Sequence, residues 1–370
     1  MAYSASAKRA IGAVRAQLAR IGVTRQSDAF RVHGRHDPAP DAPLLLVACS
    51  GGRDSMALAQ VAHVVAGMLG VRCGAAIIDH GMQAGSADVA AVAAGRCRLI
   101  GLDPVIVRRV DVDASASAGG PESGARDARY RALADIARRS DARAVLLAHT
   151  LDDQAETVLL GLIRGSGPGA ACGMPCRSDH DGVAFLRPLL DLTRADTTSI
   201  CVAAGVDWWD DPTNGDGYAA GEIPADLPLR SQLRHTVMPA LAALGGPAVA
   251  AHMARAADAI RQDDDYLNAE AVRVAKERHV VDMDSSASPG RARIDASALA
   301  GLPRPLRTRI IARTLRALGM DAFTSRHVER IDALAADWHG QGSVRLPRGF
   351  SAFSKNHVIE VCQDKTHANR

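Results

Sequence analysis

Leu44-Leu45-Leu46-Val47-Ala48-Cys49-Ser50-Gly51-Gly52-Arg53-Asp54-Ser55-Met56 decides the reading of this chain. The unbroken apolar run Leu44–Cys49 has the pattern of a strand covered on both faces. Two adjacent glycines then let the backbone turn sharply and approach a ligand closely. Helical periodicity follows over Met56–Leu69. A helix opening at this point directs its free N–H groups and the positive end of its dipole at the loop. The hydroxyls of Ser50 and Ser55 can add hydrogen bonds to phosphate oxygens. Such a loop is built for an anion, although it is not the G-x-x-x-x-G-K-S/T loop, since it lacks the lysine and is shorter. A bare S-G-G would favour a plain turn with Asp54 as a helix cap; the full string after a buried strand favours the anion.

Outward from that stretch, strands and helices alternate. Val71–Asp79 reads as a second strand, Ser86–Ile100 as a helix and Pro104–Val110 as a third strand. A helix near Glu122–Arg139, a fourth strand over Ala144–His149 and a helix over Asp152–Leu162 complete the series. Four such units predict an α/β fold, a doubly wound parallel sheet with helices on both faces. Its ligand site is expected at the carboxyl ends of the strands. Ser50–Ser55, the pair Asp79-His80, and His149 with Asp152 and Asp153 all lie just past those ends.

The flanks read differently. Residues 1–40 combine an amphipathic helix (Ile11, Val14, Leu18, Ile21) with a Pro- and Asp-rich connector. Asp210–Pro228 is rich in Gly, Pro and Asp, as in a linker or insertion. Arg230–Glu277 reads as helical, with Asp263–Asp265 as a solvated turn, and 290–370 as a small mixed unit with strand-like segments around Ser343–Leu346 and His357–Val361. The expected organisation is a helical extension over 1–40, a sheet domain over 41–220 and a smaller, mainly helical domain over 229–370.

Composition bounds the chemistry. The 370 residues are 47% hydrophobic and 23% charged, ordinary for a soluble globular protein. Aromatics are 3%, so stacking platforms for nucleic acid are few. The net charge of +3 does not by itself argue for a nucleic-acid partner. Of the 44 basic residues, only Lys8, Lys276, Lys355 and Lys365 are lysines. The arginines that make up the rest suit bidentate contacts to phosphate and base edges, though an Ala- and Arg-rich genome accounts for them equally well. Seven scattered cysteines without a C-x-x-C argue against a disulfide framework and against a zinc or iron–sulfur site. Without a signal-peptide core or an apolar run near the ~20 residues that span a bilayer, the cytoplasm is the expected location and no membrane partner is expected.

A second constellation is Ala148-His149-Thr150-Leu151-Asp152-Asp153-Gln154-Ala155-Glu156-Thr157. On a helix, Asp153 and Glu156 share a face, with Asp152 one step round. Carboxylates at the amino end of a helix are electrostatically favoured, so Asp152 serves equally well as a cap.

The loop string resembles the S-G-G-x-D-S signature of the N-type ATP pyrophosphatases, the PP-loop family with an adenine nucleotide α hydrolase-like sheet. The second string resembles the A-H-x-x-D-D-Q-x-E-T element of tRNA(Ile)-lysidine synthetases. Ile78-Asp79-His80-Gly81-Met82 looks like their V-D-H-G-L, and Ala125-Arg126-Asp127-Ala128-Arg129-Tyr130 like their A-R-x-x-R-Y. Arg164-Gly165-Ser166-Gly167 with Gly173-Met174 looks like R-G-S-G…G-M, Arg187-Pro188-Leu189-Leu190 with Arg194 like R-P-L-L…R, and Asp211-Pro212-Thr213-Asn214 like D-P-S/T-N. The likeness is strong over 44–240 and loose beyond, chiefly at Gly342–Gly349. Two departures stand out. Arg230-Ser231-Gln232-Leu233-Arg234 has serine for the asparagine of R-N-x-L/I-R and arrives late, after an insertion near 215–228. Pro168 and Ala170-Ala171 after the R-G-S-G segment are also unusual.

The resemblance implies a ligase that adenylates the C2 oxygen of the wobble cytidine of tRNA(Ile) with ATP, then attaches free L-lysine to give lysidine. Its partners would be a tRNA(Ile) with a CAU anticodon and lysine, and a homodimer is compatible with it. ATP would be held by Ser50, Gly51, Gly52, Arg53, Asp54, Ser55, Asp79 and His80, with Mg²⁺ at Asp54, a hard oxygen donor. Arg126 and Arg129 would stabilise charge on the phosphates. Asp153 and Glu156 are the candidates to bind lysine and take its proton, with His149 orienting at the same mouth. Arg164, Arg194, Arg230 and Arg234 would contact tRNA. The rival readings are a thiolating or amide-forming pyrophosphatase, for which cysteine pairs or a glutaminase motif are missing, and a nucleotide-binding module without catalysis, which would not need the carboxylates of Asp153 and Glu156.

Overall fold

The computed structural model describes residues 3–32, 37–81, 85–110, 121–165, 168–215, 218, 223–224, 226–283, 290–320 and 322–364. Met82, Ser166 and Gly167 of the motifs above, and parts of the 215–228 insertion, lie outside the described residues. The chain divides into two units. The first is Met1–Leu160 with Gly173–Arg255, and the second is Gly161–Cys172 with Ala256–Arg370.

The first unit is built on strands β1 (Leu44–Ala48), β2 (Arg72–Asp79), β3 (Val105–Arg109), β4 (Ala142–Leu146), β5 (Arg177–His180) and β6 (Val183–Leu186), in the spatial order β3-β2-β1-β4-β6-β5. All neighbours are parallel except β5, which is antiparallel to β6. The apolar run of β1 explains its central place. Leu45 and Val47 enter one core with α1 (Ala5–Arg20), α2 (Arg53–Leu69), α3 (Ser86–Ile100) and α6 (Arg194–Ala204). Leu44 and Leu46 enter the opposite core with Tyr130, Leu133 and Ile136 of α4 (Pro121–Arg139). Alternate side chains of one strand thus feed both faces. The chain builds outward from β1 through β2 to β3, then returns to the other flank of β1 with β4 and α5 (Leu151–Arg164). That reversal opens a crevice beyond the carboxyl ends of β1 and β4.

The helix expected within 1–40 is α1, whose Val14 and Leu18 are buried in the first core. The hairpin β5–β6 has no counterpart among the four expected units: each strand is four residues long and β5 is polar, so its period leaves little signal. The helical stretch after the insertion runs from α7 (Leu229–Gln232) through a π-helical turn, Leu233–Val237, into α8 (Met238–Gly245). It belongs to the first unit, whereas the sequence reading begins its smaller domain at 229.

Helix α9 (Val249–Glu277) corrects one expectation. Asp263–Asp265 is an unbroken part of it rather than a turn. Asp264 accepts hydrogen bonds from Arg309 and from Asn268, which offsets the repulsion of three adjacent acids. The second unit carries β7 (Val281–Met283), β8 (Arg291–Asp295), α10 (Ala296–Ala300), α11 (Arg304–Ala317), α12 (Ser325–Ala336), β9 (Val344–Leu346), β10 (Phe350–Lys355) and β11 (Val358–Gln363). Its five strands form an antiparallel sheet in the order β7-β8-β11-β10-β9, so it is less helical than its sequence suggests. No single helix among the described residues is long and apolar enough to cross a membrane.

Candidate active site

The loop after β1 has the geometry its sequence requires. Gly51 has φ +81°, and a Cβ there would meet the Ala93 Cβ of α3 at 2.9 Å. The cap of α2 is Gly52, not Asp54. The loop closes around the Ser55 hydroxyl, which accepts from the Ser50 N–H at 3.2 Å and donates to the Gly52 carbonyl at 2.8 Å. Asp54 therefore keeps its carboxylate for other partners. One oxygen accepts from the Thr197 hydroxyl of α6 at 2.5 Å, and the other lies 4.0 Å from Arg194. Burial and the nearby Asp153 raise the Asp54 pKa against the pull of Thr197 and the arginines. A desolvated carboxylate of this kind gains from a hard cation beside it. Asp54 can therefore offer an oxygen to Mg²⁺, although among the described residues no group of three or more His, Cys, Asp or Glu is gathered to hold a metal ion.

At the end of β2, an Asp79 oxygen accepts from the Gly81 N–H at 2.9 Å. That bond, more than any other contact, holds its pKa below the usual carboxylate range. His80 beside it is half-buried, and among the described residues its Nδ1 has no hydrogen-bond partner. On α4, the guanidinium groups of Arg126 and Arg129 lie 5.4 and 5.7 Å from the centre of the Tyr130 ring. The Tyr130 hydroxyl accepts from Arg187 at 3.0 Å, and Arg187, only 2% exposed, also donates to the Pro175 carbonyl at 2.9 Å. Among the described residues the Nε of Arg129 and the Nδ1 of His149 are buried without partners.

The third part is an ion-pair cluster at the end of β4. Asp153 accepts from the N–H and hydroxyl of Thr150 at 2.9 and 3.0 Å with one oxygen, and from Arg194 at 2.7 Å with the other. Burial alone would raise its pKa, but Arg194, then His149 and the Thr150 N–H, bring it below the usual range. The Glu156 side chain is 1% exposed and meets Arg194 and Arg234 at 2.9 Å each and Arg230 at 3.7 Å. Arg230 and Arg234 are four residues apart on the helical stretch after the insertion, so both reach α5. Asp152 accepts from the Arg194 N–H at 2.8 Å, which fixes the start of α6 to that of α5.

Members of all three parts border one cavity of about 700 Å³, lined among others by Ser50, Asp54, Asp79, Arg129, His149 and Arg234, whereas Arg126, Glu156 and Arg230 are not among its lining residues. Two expectations need restating. Arg194, Arg230 and Arg234 do not face outward as a free phosphate-binding surface; their side chains are 15%, 24% and 14% exposed and hold the carboxylates. Arg164 is exposed near the end of α5 and does not line the cavity. The late Arg230–Arg234 motif is reconciled with Asp211–Asn214 by docking. Ser231 donates to the Thr213 carbonyl at 2.8 Å, and His235 Nε2 lies 2.8 Å from the Asn214 carbonyl.

Sequence reasoning assigned no role to Thr197, Arg187 and Gln154. Thr197 carries no local signal, whereas Arg187 and Gln154 stand inside quoted motifs. The Gln154 side chain donates to the Met174 carbonyl at 2.8 Å and accepts from its N–H at 2.6 Å. Gly173 beside it has φ +60°, and a Cβ would fall 2.7 Å from Gln154 Oε1. Gly173→Ala is therefore expected to cost about 1–3 kcal/mol, from backbone strain and a displaced hydrogen bond. Urea unfolding of the variant against the parent measures it; an unchanged midpoint would refute the account.

His149 gives a pH prediction. Burial, reinforced by Arg129, Arg187 and Arg126, pushes its pKa down although Asp153 opposes this. A folded-state pKa below the unfolded value of about 6.5 means that the unfolded chain binds the extra proton. Stability is complete above pH ~6.5 and declines as the pH falls below it. Melting temperatures between pH 7.5 and 5 should fall less in His149→Asn than in the parent. Parallel curves would contradict this.

A family model described as a PP-loop domain matches residues 26–241, and one described as the TilS substrate binding domain matches 294–354. The chain is 49% identical to the tRNA(Ile)-lysidine synthase of Bifidobacterium longum subsp. infantis over 100% of both chains. It is 44% identical to that of Leifsonia xyli subsp. xyli, covering 90% of this chain and 95% of the other. With that of Thermobifida fusca the figures are 42%, 83% and 88%. Among solved structures, the U34-tRNA thiolase NcsA from Methanococcus maripaludis superposes with a TM-score of 0.52 at 15% identity, covering 68% of this chain and 78% of that one. At that identity the likeness concerns the fold alone.

Proposed function

Since this chain belongs to the tRNA(Ile)-lysidine synthase family, we propose that its cavity joins ATP, the wobble cytidine of tRNA(Ile) and free L-lysine. The product is lysidine, with release of pyrophosphate and AMP. The observation that carries this reading is the meeting of an anion-binding loop at the end of β1 with a carboxylate–arginine cluster at the end of β4, on one cavity.

The chemistry follows from the residues. The loop and the start of α2 grip the β and γ phosphates with main-chain N–H groups and the Ser50 hydroxyl. Asp54 would contribute one oxygen to Mg²⁺, which neutralises phosphate charge when bound. The cytidine C2 oxygen attacks the α-phosphorus; the bond to the pyrophosphate oxygen breaks and pyrophosphate leaves. Arg126 and Arg129, fanned over Tyr130, stabilise the charge that develops, an electrostatic contribution.

Lysine then displaces AMP from C2 through its ε-nitrogen. That amine is protonated at neutral pH, with an unperturbed pKa of about 10.4, and Asp153, kept ionised by Arg194, binds it. One proton must leave this ammonium before its nitrogen has a lone pair, so Asp153 accepts it first. As the N–C2 bond forms and the C2–O bond to AMP breaks, the nitrogen becomes strongly acidic and its second proton passes to the departing AMP phosphate or to water. Arg194, Arg230 and Arg234 fix the direction of Asp153 and Glu156, while Arg164 is a candidate for the tRNA backbone. The cytoplasm, expected from the sequence, is the location this reading adopts.

The test is mass spectrometry of nucleosides from an isoleucine tRNA transcript with a CAU anticodon, incubated with the protein, ATP, Mg²⁺ and lysine. Lysidine is expected only when all are present. Pyrophosphate release without any modified nucleoside would overturn the assignment of the acceptor.

A further inference from the structure

Trp208 and Trp209 stand side by side in the non-helical stretch that follows α6, and they behave differently. Trp208 packs against the core of the first unit and donates its indole N–H to Asp210 at 2.8 Å. Trp209 belongs to none of the described cores, is partly buried, and lines the cavity. Its main-chain N–H donates to the Gly51 carbonyl at 2.9 Å, which ties it to the phosphate loop. Among the described residues its indole has no hydrogen bond and no ring partner. It is the only Phe, Tyr or Trp among the lining residues. In a chain with 3% aromatics, an unpartnered indole at that position calls for a ligand with a flat face.

We propose that Trp209 is the stacking platform for the pyrimidine that leaves the anticodon to be modified. This rests on the functional reading above. A base extruded from its stack loses contact with its neighbours and regains it on an aromatic side chain. The location suits the acceptor base rather than the adenine of ATP. Asp79 and His80, the candidates for ATP that lie apart from the phosphate loop and are left for its adenosine end, stand at the end of β2. Asp153 and Glu156, proposed for lysine, lie past the end of β4. Trp209 is fastened to the loop after β1, the strand between these two. A pyrimidine on this indole therefore lies beside the α-phosphate on one side and the incoming amine on the other.

Trp209→Leu keeps apolar bulk without a π face, and Trp209→Phe restores one. Lysidine formation on the tRNA transcript is measured for both, together with ATP binding by titration calorimetry and melting temperature. In Trp209→Leu, kcat/KM for tRNA should fall about tenfold or more, with ATP affinity within about twofold of the parent, and Trp209→Phe should recover most of the loss. An anticodon stem-loop with 2-aminopurine at the wobble position should be quenched on binding the parent and brighter with Trp209→Leu. Loss of ATP affinity in Trp209→Leu would make Trp209 an adenine contact and overturn the proposal. Unchanged tRNA kinetics, or Trp209→Phe as poor as Trp209→Leu, would overturn it too. A parent protein that makes no lysidine instead defeats the functional reading, a result separable from any of these.

Discussion

Asp153→Asn should leave the protein folded and ATP bound, yet reduce lysidine formation by about 10³-fold or more. The fold is spared because an asparagine oxygen still accepts from Thr150 at the start of α5, as the aspartate does at 2.9 and 3.0 Å. Arg194 keeps Glu156 at 2.9 Å, so its charge is not left unpaired. What disappears is the negative oxygen that faces Arg194 at 2.7 Å, the one able to hold an ammonium and then take its proton. Loss of a positioned general base costs about 10²–10⁴-fold, and loss of the ionic contact adds to that. The adenylation half-reaction should persist, since Arg126, Arg129 and the loop are untouched. Pyrophosphate release with tRNA but without lysine, set against lysidine formation, reads the two halves separately. Full lysidine formation in the variant would remove Asp153 from the mechanism; loss of both halves would move its role to the phosphates.

Glu156→Ala should act on stability as well as on turnover. Its carboxylate is buried among three guanidinium groups at 2.9, 2.9 and 3.7 Å. Removing one member of a buried, hydrogen-bonded ion cluster leaves the others desolvated without compensation, which costs about 3–5 kcal/mol. For a unit of this size the loss corresponds to a drop of about 10 °C in melting temperature. The companion variant Glu156→Ala with Arg234→Met removes one of the orphaned charges and should recover part of the loss. If the single variant melts with the parent, Arg194, Arg230 and Arg234 are free to rearrange, and the cluster is not a fixed part of the site. Should the double variant be less stable by the sum of the two single changes, Glu156 and Arg234 are not coupled.

These outcomes depend on contacts of unequal visibility in the sequence. The expectation that Arg230 and Arg234 meet tRNA came from their type and motif; the structure turns them inward. Asp263–Asp265 looked like a turn because three adjacent acids repel, but Arg309 and Asn268 stand opposite Asp264. The antiparallel sheet of the second unit was only half visible, through its last segments.

Residues 44–56 did more than locate a loop. The run Leu44–Cys49 announces burial on two faces because no polar side chain interrupts it, and burial on two faces forces a central parallel strand. The Gly51-Gly52 pair announces a sharp turn, and the structure shows why Gly51 is needed: its φ is +81° and a Cβ there would meet the Ala93 Cβ at 2.9 Å. Both are local properties that determined the phosphate loop from sequence alone, as the four strand–helix units determined the α/β fold and the string Ala148–Thr157 with the other motifs the family. Tertiary structure alone decided what surrounds the carboxylates. Thr197 reaches Asp54 across 143 positions, Arg194 reaches Asp153 across 41, and Arg234 reaches Glu156 across 78. In a chain whose 44 basic residues include only four lysines, many guanidinium groups are chemically alike. Coulomb attraction falls off with distance and strengthens as burial lowers the dielectric, so only the packing of α6, α7 and the π-helical turn after it against α5 selects three of them.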